Sequence, residues 1–135
     1  MSLTSNSPSL YGLQLQSIDL TPDSAGSSAN SIPPYVKVAR LGANVNGVTD
    51  FTVLPSLADV PNGHRITIIA GAANSEVRTP DGSDEEINSE NSDGTKEYLL
   101  TATQIHRFTK IDNTIGWMGQ GFTAIGAVAT AVIPD

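Results

Sequence analysis

The sequence predicts an all-β protein, and three observations carry that prediction. Segments in which apolar and polar residues alternate recur along the chain, as in Tyr35–Arg40, and a two-residue period is typical of a strand with one buried face. Turn residues separate these segments, since the chain has twelve glycines and eight prolines among 135 residues. No window of about a dozen residues has a convincing helical period. We therefore expect a single compact domain of β-sandwich or β-prism type.

Seven segments after residue 34 have the alternation and the bounding turns of strands. In chain order they are Tyr35–Arg40, Asp50–Leu54, Arg65–Ala70, Glu76–Thr79, Glu97–Thr101, Gln104–Lys110 and Thr114–Met118. Asp112-Asn113 predicts a hairpin between the last two, and Asn46-Gly47 predicts a tight turn. Pro61–Gly63 and Pro80–Gly82 are further turn signals. Ser56–Val60 and the residues from Ala102 each have the composition for one helical turn.

The composition limits the classes of function. Aromatic residues make up only 5% of the chain, so we expect a thin core of aliphatic side chains and an oligomer that enlarges the buried area. The chain has no cysteine, which excludes disulfides and thiolate metal sites. Its net charge is −7, with few and scattered basic residues, which argues against binding to nucleic acid. No signal peptide and no apolar run of about 20 residues is visible, and we expect no membrane segment.

Residues 1–34 differ from the rest, because they contain no lysine or arginine and are rich in serine, asparagine and proline. We interpret them as an extended arm and linker that precedes a β domain at 35–135. Within the arm, Tyr11–Leu20 has strand alternation with a phase slip at Ser17. Such a strand would pair with a neighbouring molecule or would be the first strand of the chain's own sheet. For the first alternative, the partner-binding residues are Tyr11, Leu13, Leu15, Ile18 and Leu20.

The segment from Gly121 to Asp135 carries no charge before its last residue. An exposed strand of this composition would promote aggregation, so we expect it to be buried on both faces. It would pack against other copies of the chain or form a central strand of its own sheet. For the first alternative, the residues of the oligomer interface are Phe122, Ile125, Val128, Val132 and Ile133.

Few residues have the pattern of a chemical site. The polar loop that begins at the Pro80–Gly82 turn holds six carboxylates, at Asp81, Asp84, Glu85, Glu86, Glu90 and Asp93. It lacks the ligand spacing of a calcium loop, so we interpret it as solvated. His64 and His106 belong to no zinc motif, and no serine lies in a nucleophile elbow. Trp117 would be a sugar-binding platform or, as we favour, a buried aromatic. We expect no catalytic residue, no metal and no cofactor.

Several short motifs occur in an order that resembles a recurrent β module of tailed-phage structural proteins. They are Phe51-Thr-Val-Leu-Pro, Val60-Pro-Asn-Gly-His-Arg-Ile-Thr-Ile-Ile, Val77-Arg-Thr-Pro-Asp-Gly, Ile87-Asn, Tyr98-Leu-Leu and Gly116-Trp117. The resemblance covers about half of the chain. The glycine pair that follows Ile-Asn in the module is replaced here by Ser89-Glu90.

The resemblance implies a trimeric part of a virion. A short chain with one β unit and an N-terminal arm, without shaft repeats, fits a capsid decoration (cement) protein on the outer surface of a phage head. The partners would be the major capsid protein and two further copies of the chain, and no enzymatic activity is expected. The alternative is a receptor- or glycan-binding module of a tail fibre or spike that uses loops near Trp117 or Tyr98.

Overall fold

The structure, a computed structural model, describes residues 17–24, 30–47, 49–81, 83–88 and 97–122. These residues form eight strands in two sheets and one short 3₁₀ turn. The prediction of an all-β protein is therefore confirmed. None of the helical structure in the described ranges has the length and apolarity needed to cross a membrane.

Five strands form the larger sheet. They are β1 (Ser17–Leu20), β2 (Val38–Leu41), β4 (Arg65–Ile69), β7 (Ile105–Asp112) and β8 (Gly116–Phe122). Their order across the sheet is the same as their order along the chain, with β1 and β8 at the two edges. The pairs β1–β2 and β2–β4 are parallel, whereas β4–β7 and β7–β8 are antiparallel. A parallel pair needs a long connection, and here the chain leaves this sheet between the paired strands.

The smaller sheet has three strands, β3 (Phe51–Val53), β5 (Ser75–Arg78) and β6 (Glu97–Leu100), with β5 in the centre. The pair β3–β5 is parallel, and β5–β6 is antiparallel. Segments of residues 1–34 cover the free side of β3: Asp23 forms an antiparallel bridge to Phe51, and Ser31 forms a parallel bridge to Val53. The linker predicted from composition therefore contributes backbone hydrogen bonds to this sheet.

One hydrophobic cluster draws side chains from both sheets. Because side chains on a strand alternate between faces, Ile66 and Ile68 of β4 point inward together with Ala39 of β2 and Phe108 of β7, and all four are buried. Val77 and Leu100 of the smaller sheet belong to the same cluster. Trp117 is the largest fully buried side chain in the described residues. The core is mostly aliphatic, as the composition predicts.

The predicted helical turn at Ser56–Val60 is confirmed as a 3₁₀ turn, Leu57–Asp59. Both of its ends are held by charged side chains. At the start, a carboxylate oxygen of Glu85 accepts hydrogen bonds from Leu57 N at 3.1 Å and from Ser56 Oγ at 2.8 Å. At the end, the buried Lys110 ammonium donates to the carbonyls of Leu57 at 2.6 Å and Val60 at 2.8 Å. An anion at the start and a cation at the end match the dipole of the turn.

Two turn signals have different outcomes. The hairpin at Asp112-Asn113 is confirmed, since β7 and β8 are antiparallel and the Asp112 carboxylate accepts the Thr114 and Ile115 N–H groups. Those two hydrogen bonds lower the pKa of Asp112. Asn46-Gly47, in contrast, connects strands of different sheets. The helical turn considered at Ala102 is not formed there; Thr103 adopts a φ of 62° in a turn.

Glycines in β8 leave room for an aromatic stack. Gly119 lies opposite Phe108, and Gly121 lies opposite His106. A Cβ atom at Gly119 would stand 2.7 Å from the Phe108 ring, and one at Gly121 would stand 3.0 Å from the His106 ring. Tyr98 of the smaller sheet packs edge-on against both rings, with centroids 5.0 Å and 5.5 Å away. Because Gly119 and Gly121 have no side chains, the Phe108, His106 and Tyr98 rings fit between the two sheets and connect them.

We expect Gly116→Ala to lower the free energy of unfolding by about 3 kcal/mol or more, which chemical denaturation would measure. Gly116 has a φ of 85°, and a Cβ there would collide with the backbone of Glu86. Gly63→Ala is a matched control, because Gly63 also has a φ of 85° but no atom lies within 4 Å of its Cβ position. The free energy of unfolding of the control should decrease by only about 1 kcal/mol, which is the cost of a positive φ for a residue with a Cβ atom. Equal losses in the two variants would contradict the collision.

Candidate functional site

The residues predicted to bind a partner through the arm divide into two groups. Tyr11, Leu13 and Leu15 lie outside the described residues. Ile18 and Leu20 lie in β1, where Leu20 is buried in the core and Ile18 packs partly buried against it. Of the two alternatives for this segment, its described part, Ser17–Leu20, is a strand of the chain's own sheet.

β1 is nevertheless an edge strand. Within the described ranges it pairs only with β2, so its other side offers backbone groups to an added strand. The exposed side chain of Asp19 forms an ion pair with Arg40 of β2 at 2.8 Å. A shallow cavity of ≈ 420 Å³ lies over the ends of β1 and β2. Its lining residues are Asp19, Leu20, Thr21, Arg40, Leu41 and Gly42.

Of the predicted oligomer interface, only Phe122 is described. It is half-buried at the end of β8, and the Arg107 guanidinium lies 4.9 Å from the centre of its ring. Ile125, Val128, Val132 and Ile133 lie outside the described residues. Phe122 is on the face of the sheet opposite to the core, because its neighbour Gly121 faces His106. It is therefore placed where another molecule can reach it.

Trp117 is fully buried, in agreement with the interpretation that we favoured. Its backbone is held on the outer side of β8 by residues 86–88: Trp117 N donates to Glu86 O, and Asn88 N donates to Trp117 O, both at 2.8 Å. The Asn88 side chain continues the pairing, since its amide donates to Gly119 O at 3.1 Å and accepts from Gly119 N at 2.8 Å. The Ile-Asn and Gly-Trp motifs, about 30 residues apart, thus meet in one seam.

The described part of the acidic loop does not form a metal site. Among the described residues, no group of three or more acidic or histidine side chains is placed to hold an ion. Glu85 faces inward and holds the start of the 3₁₀ turn. Asp81 and Asp84 are exposed, and Glu86 is half-buried. Glu90 and Asp93 lie outside the described residues.

His106 is a structural side chain in the interior. Its Nε2 lies 3.4 Å from the Thr101 carbonyl, which can only accept, so Nε2 carries the proton. Its Nδ1 then accepts a hydrogen bond from the Tyr98 hydroxyl at 3.0 Å. Burial lowers the pKa of His106 and raises the pKa of Tyr98. Both groups are therefore held in their neutral forms at neutral pH.

His64 lies at the start of β4 and is almost fully buried. Its Nδ1 accepts a hydrogen bond from the Lys37 ammonium at 2.9 Å, and its ring lies edge-on to Trp117. Burial, and secondly the charge of Lys37, lower the pKa of His64. The two histidines are on separate strands and contact different partners, so they do not form a joint site.

Two buried charged groups were not identified from the sequence. One is Lys110, at the end of the 3₁₀ turn. The other is a cluster on the smaller sheet in which Arg78 pairs with Glu76 at 2.5 Å and with Glu97 at 2.9 Å, both carboxylates being almost fully buried. The Arg78 guanidinium also lies 4.3 Å from the centre of the Phe51 ring. The alternation Glu76-Val-Arg78 is a sequence signal for two charged residues on one strand face, but it does not reveal the partner strand.

These contacts determine what the described residues can do. Lys110 and Glu85 bind the 3₁₀ turn, Glu76 and Glu97 pair with Arg78, and the histidines are neutral and enclosed. The Glu85 carboxylate does contact a serine hydroxyl, that of Ser56 at 2.8 Å, but the same oxygen also accepts the Leu57 N–H at the start of the 3₁₀ turn. The accessible features are an edge strand at β1 and the outer face of the larger sheet. The sequence matches no protein-family model, and no curated protein matches it.

We expect the free energy of unfolding to decrease as the pH falls from about 6.5 to 5. The pKa of both histidines is lowered in the fold. Well above pH 6.5 these histidines are therefore unprotonated in both the folded and the unfolded chain, and they do not make the stability depend on pH. Below about pH 6.5 the unfolded chain binds protons that the folded chain excludes, at a cost of up to about 1.4 kcal/mol per pH unit for each histidine. Urea unfolding at several pH values measures the slope.

His106→Gln and His64→Gln serve as the comparison variants for this pH dependence. Each removes one titrating group, so each should roughly halve the slope whatever it does to the stability at pH 7. An unchanged slope in both variants would mean that the acid sensitivity arises from carboxylates instead.

Proposed function

We propose that this protein is a non-enzymatic virion structural protein, a capsid decoration protein that binds the outer surface of a phage head and stabilises it. In this proposal the domain is of sandwich or prism type, three copies associate, and the partner is the major capsid protein. The proposal combines the resemblance of the motifs to tailed-phage β modules with the placement of their residues.

The seam between residues 86–88 and β8 supports the resemblance. Two motifs that are far apart in sequence contact each other through four hydrogen bonds, between Trp117 and residues 86 and 88 and between Asn88 and Gly119. Gly116 adopts a φ of 85°, and the backbone of Glu86 passes where its Cβ atom would lie. Each residue that carries the resemblance here has an architectural role, as expected for motifs of a structural module.

The observation that carries the proposal is that, among the described strands, β1 is paired on one side only. An extended segment can add to such an edge with main-chain hydrogen bonds, which is a common mode of recognition between proteins. Before the phase slip at Ser17 the sequence has strand alternation of its own at Leu13 and Leu15, and in the proposal this part of the arm pairs with a neighbouring protein. Three such arms on one trimer would raise the overall affinity by avidity.

The described polar side chains support a binding role over a catalytic one. Buried charged groups are engaged in internal contacts, such as Lys110 on the 3₁₀ turn and Arg78 between Glu76 and Glu97. The alternative is a receptor- or glycan-binding module that uses loops near Trp117 or Tyr98. The Trp117 ring is fully buried, so it is not available as a stacking platform in this structure, and the Tyr98 hydroxyl is engaged with His106.

The test is a deletion of residues 1–16 followed by a binding assay on capsids of the virus that encodes the chain. A longer deletion to residue 34 would remove Leu20 and Ile32 from the core and would confound binding with folding. We expect the shorter deletion to abolish co-sedimentation with capsids while the unfolding transition is kept. Normal decoration by the truncated protein would contradict the proposed role of the arm.

A pair of point variants sharpens the same test. Leu13→Asp with Leu15→Asp places charges in the alternating apolar positions and should weaken capsid binding. Val45→Asp is the control, since Val45 is 59% exposed in a loop outside both sheets. Failure of the unaltered protein to bind capsids, together with specific binding to cells or to a glycan array, would favour the receptor-binding alternative.

A further inference from the structure

The outer face of the larger sheet presents a row of side chains in register across all five strands. Arg40 pairs with Ile69, Ile69 with Ile105, and Ile105 with Phe122, and Asp19 of β1 begins the row. Side chains of residues paired in this way lie side by side on one face. Ile69, Ile105 and Phe122 therefore form a continuous apolar strip over β4, β7 and β8.

Much of this strip is accessible. Ile105 is 46% exposed, and Met118, which lies on the same face of β8, is 50% exposed. Ile69 and Phe122 are half-buried. Scattered apolar side chains on a surface are ordinary, but a contiguous group across adjacent strands is typical of an interaction site.

The charge of this face is opposite to that of the chain. Arg40, Arg65 and Arg107 are exposed on it, and its acidic strand positions are Asp19 and Asp112, which pairs with Gly116 beside the inward-facing Trp117. Three positive charges against two negative give the face a net charge of +1, on a chain whose net charge is −7. Arg78 and Lys110, in contrast, are engaged in the interior.

The acidic charge that the chain presents to solvent lies elsewhere. Glu85 binds Ser56 and Leu57, which brings the 3₁₀ turn with its exposed Asp59 next to the loop that carries Asp81 and Asp84. All three side chains are exposed. This acidic surface (Asp59, Asp81 and Asp84) belongs to the 3₁₀ turn and the loop at 81–86, and none of it is part of the outer sheet face.

We infer that the outer sheet face docks a second copy of this chain, with its apolar strip buried and its arginines facing the acidic surface of that copy. This deepens the proposed function, because it names the surface through which the copies associate. Opposite potentials on two different parts of one chain favour a head-to-tail contact, since a two-fold axis through the centre of this face would place arginines against arginines. A head-to-tail contact that closes after three copies gives the proposed trimer.

The inference is tested by the mass of the full chain in solution, measured by sedimentation velocity over a range of concentrations. A monomer has a mass of 14.1 kDa, and three copies have 3 × 14.1 = 42.3 kDa. We expect an oligomer for the unaltered protein and dissociation for Ile105→Glu. Val45→Glu is the matched control and should remain associated, because Val45 lies outside the face.

A charge exchange tests the orientation of the contact. Arg107→Glu should weaken association roughly tenfold, and combining it with Asp59→Lys in the same chain should recover part of the loss. Circular dichroism verifies that each variant is folded. If Ile105→Glu does not fold, the dissociation of the oligomer is measured with Arg107→Glu instead.

Three outcomes would overturn the inference. The first is that the unaltered protein is a monomer, whatever covers the face. The second is an oligomer that tolerates both Ile105→Glu and Arg107→Glu, and the third is association with a foreign acidic protein but not between copies of this chain. Capsid binding is read separately. A monomer that still decorates capsids would remove this inference alone, whereas an oligomer that fails to bind capsids would remove the proposed function alone.

Discussion

The fold depends on the contact between the backbone of residues 86–88 and the outer edge of β8. This seam fixes Trp117, the largest buried side chain, from both sides: β7 pairs with it on one side, and Glu86 and Asn88 bond to its main chain on the other. Gly116 makes the contact possible, because any larger residue would collide with Glu86. The loop held by the seam then presents Glu85 to the 3₁₀ turn, whose other end receives Lys110 from β7. One local backbone contact thereby connects the larger sheet, the loop and the turn.

Much of the secondary structure could be predicted from the sequence, whereas the pairing of the strands could not. Alternation located Arg65–Ile69 and Glu97–Leu100 almost to the residue, because burial of one strand face leaves a local pattern. Assignment to a sheet is set by partners far away in the chain. The parallel pair β1–β2 and the separation of β2 and β3 into different sheets have no local signal, and Asn46-Gly47 is a turn in either arrangement.

The same limit applies to the candidate surfaces. Trp117 was interpreted as a buried residue because a single indole in a thin core contributes a large apolar area. Lys110 was not identified as buried, since its two acceptors, Leu57 O and Val60 O, are 53 and 50 residues away. The apolar strip also could not be identified from the sequence. Ile69, Ile105 and Phe122 belong to three separate segments, and only the register of the strands places them side by side.

Asn88 makes the β8 edge of the larger sheet different from the β1 edge. Its side-chain amide donates to and accepts from Gly119 in the way that a peptide group of a sixth strand would. An incoming segment would have to displace this amide before it could pair with that part of β8, and exposed edges that are blocked in this way resist uncontrolled growth. Within the described residues, no side chain blocks the backbone groups at the edge of β1 in this way. Under the proposed function, each copy would accept an added strand at the β1 edge alone, so copies and added strands would associate one to one.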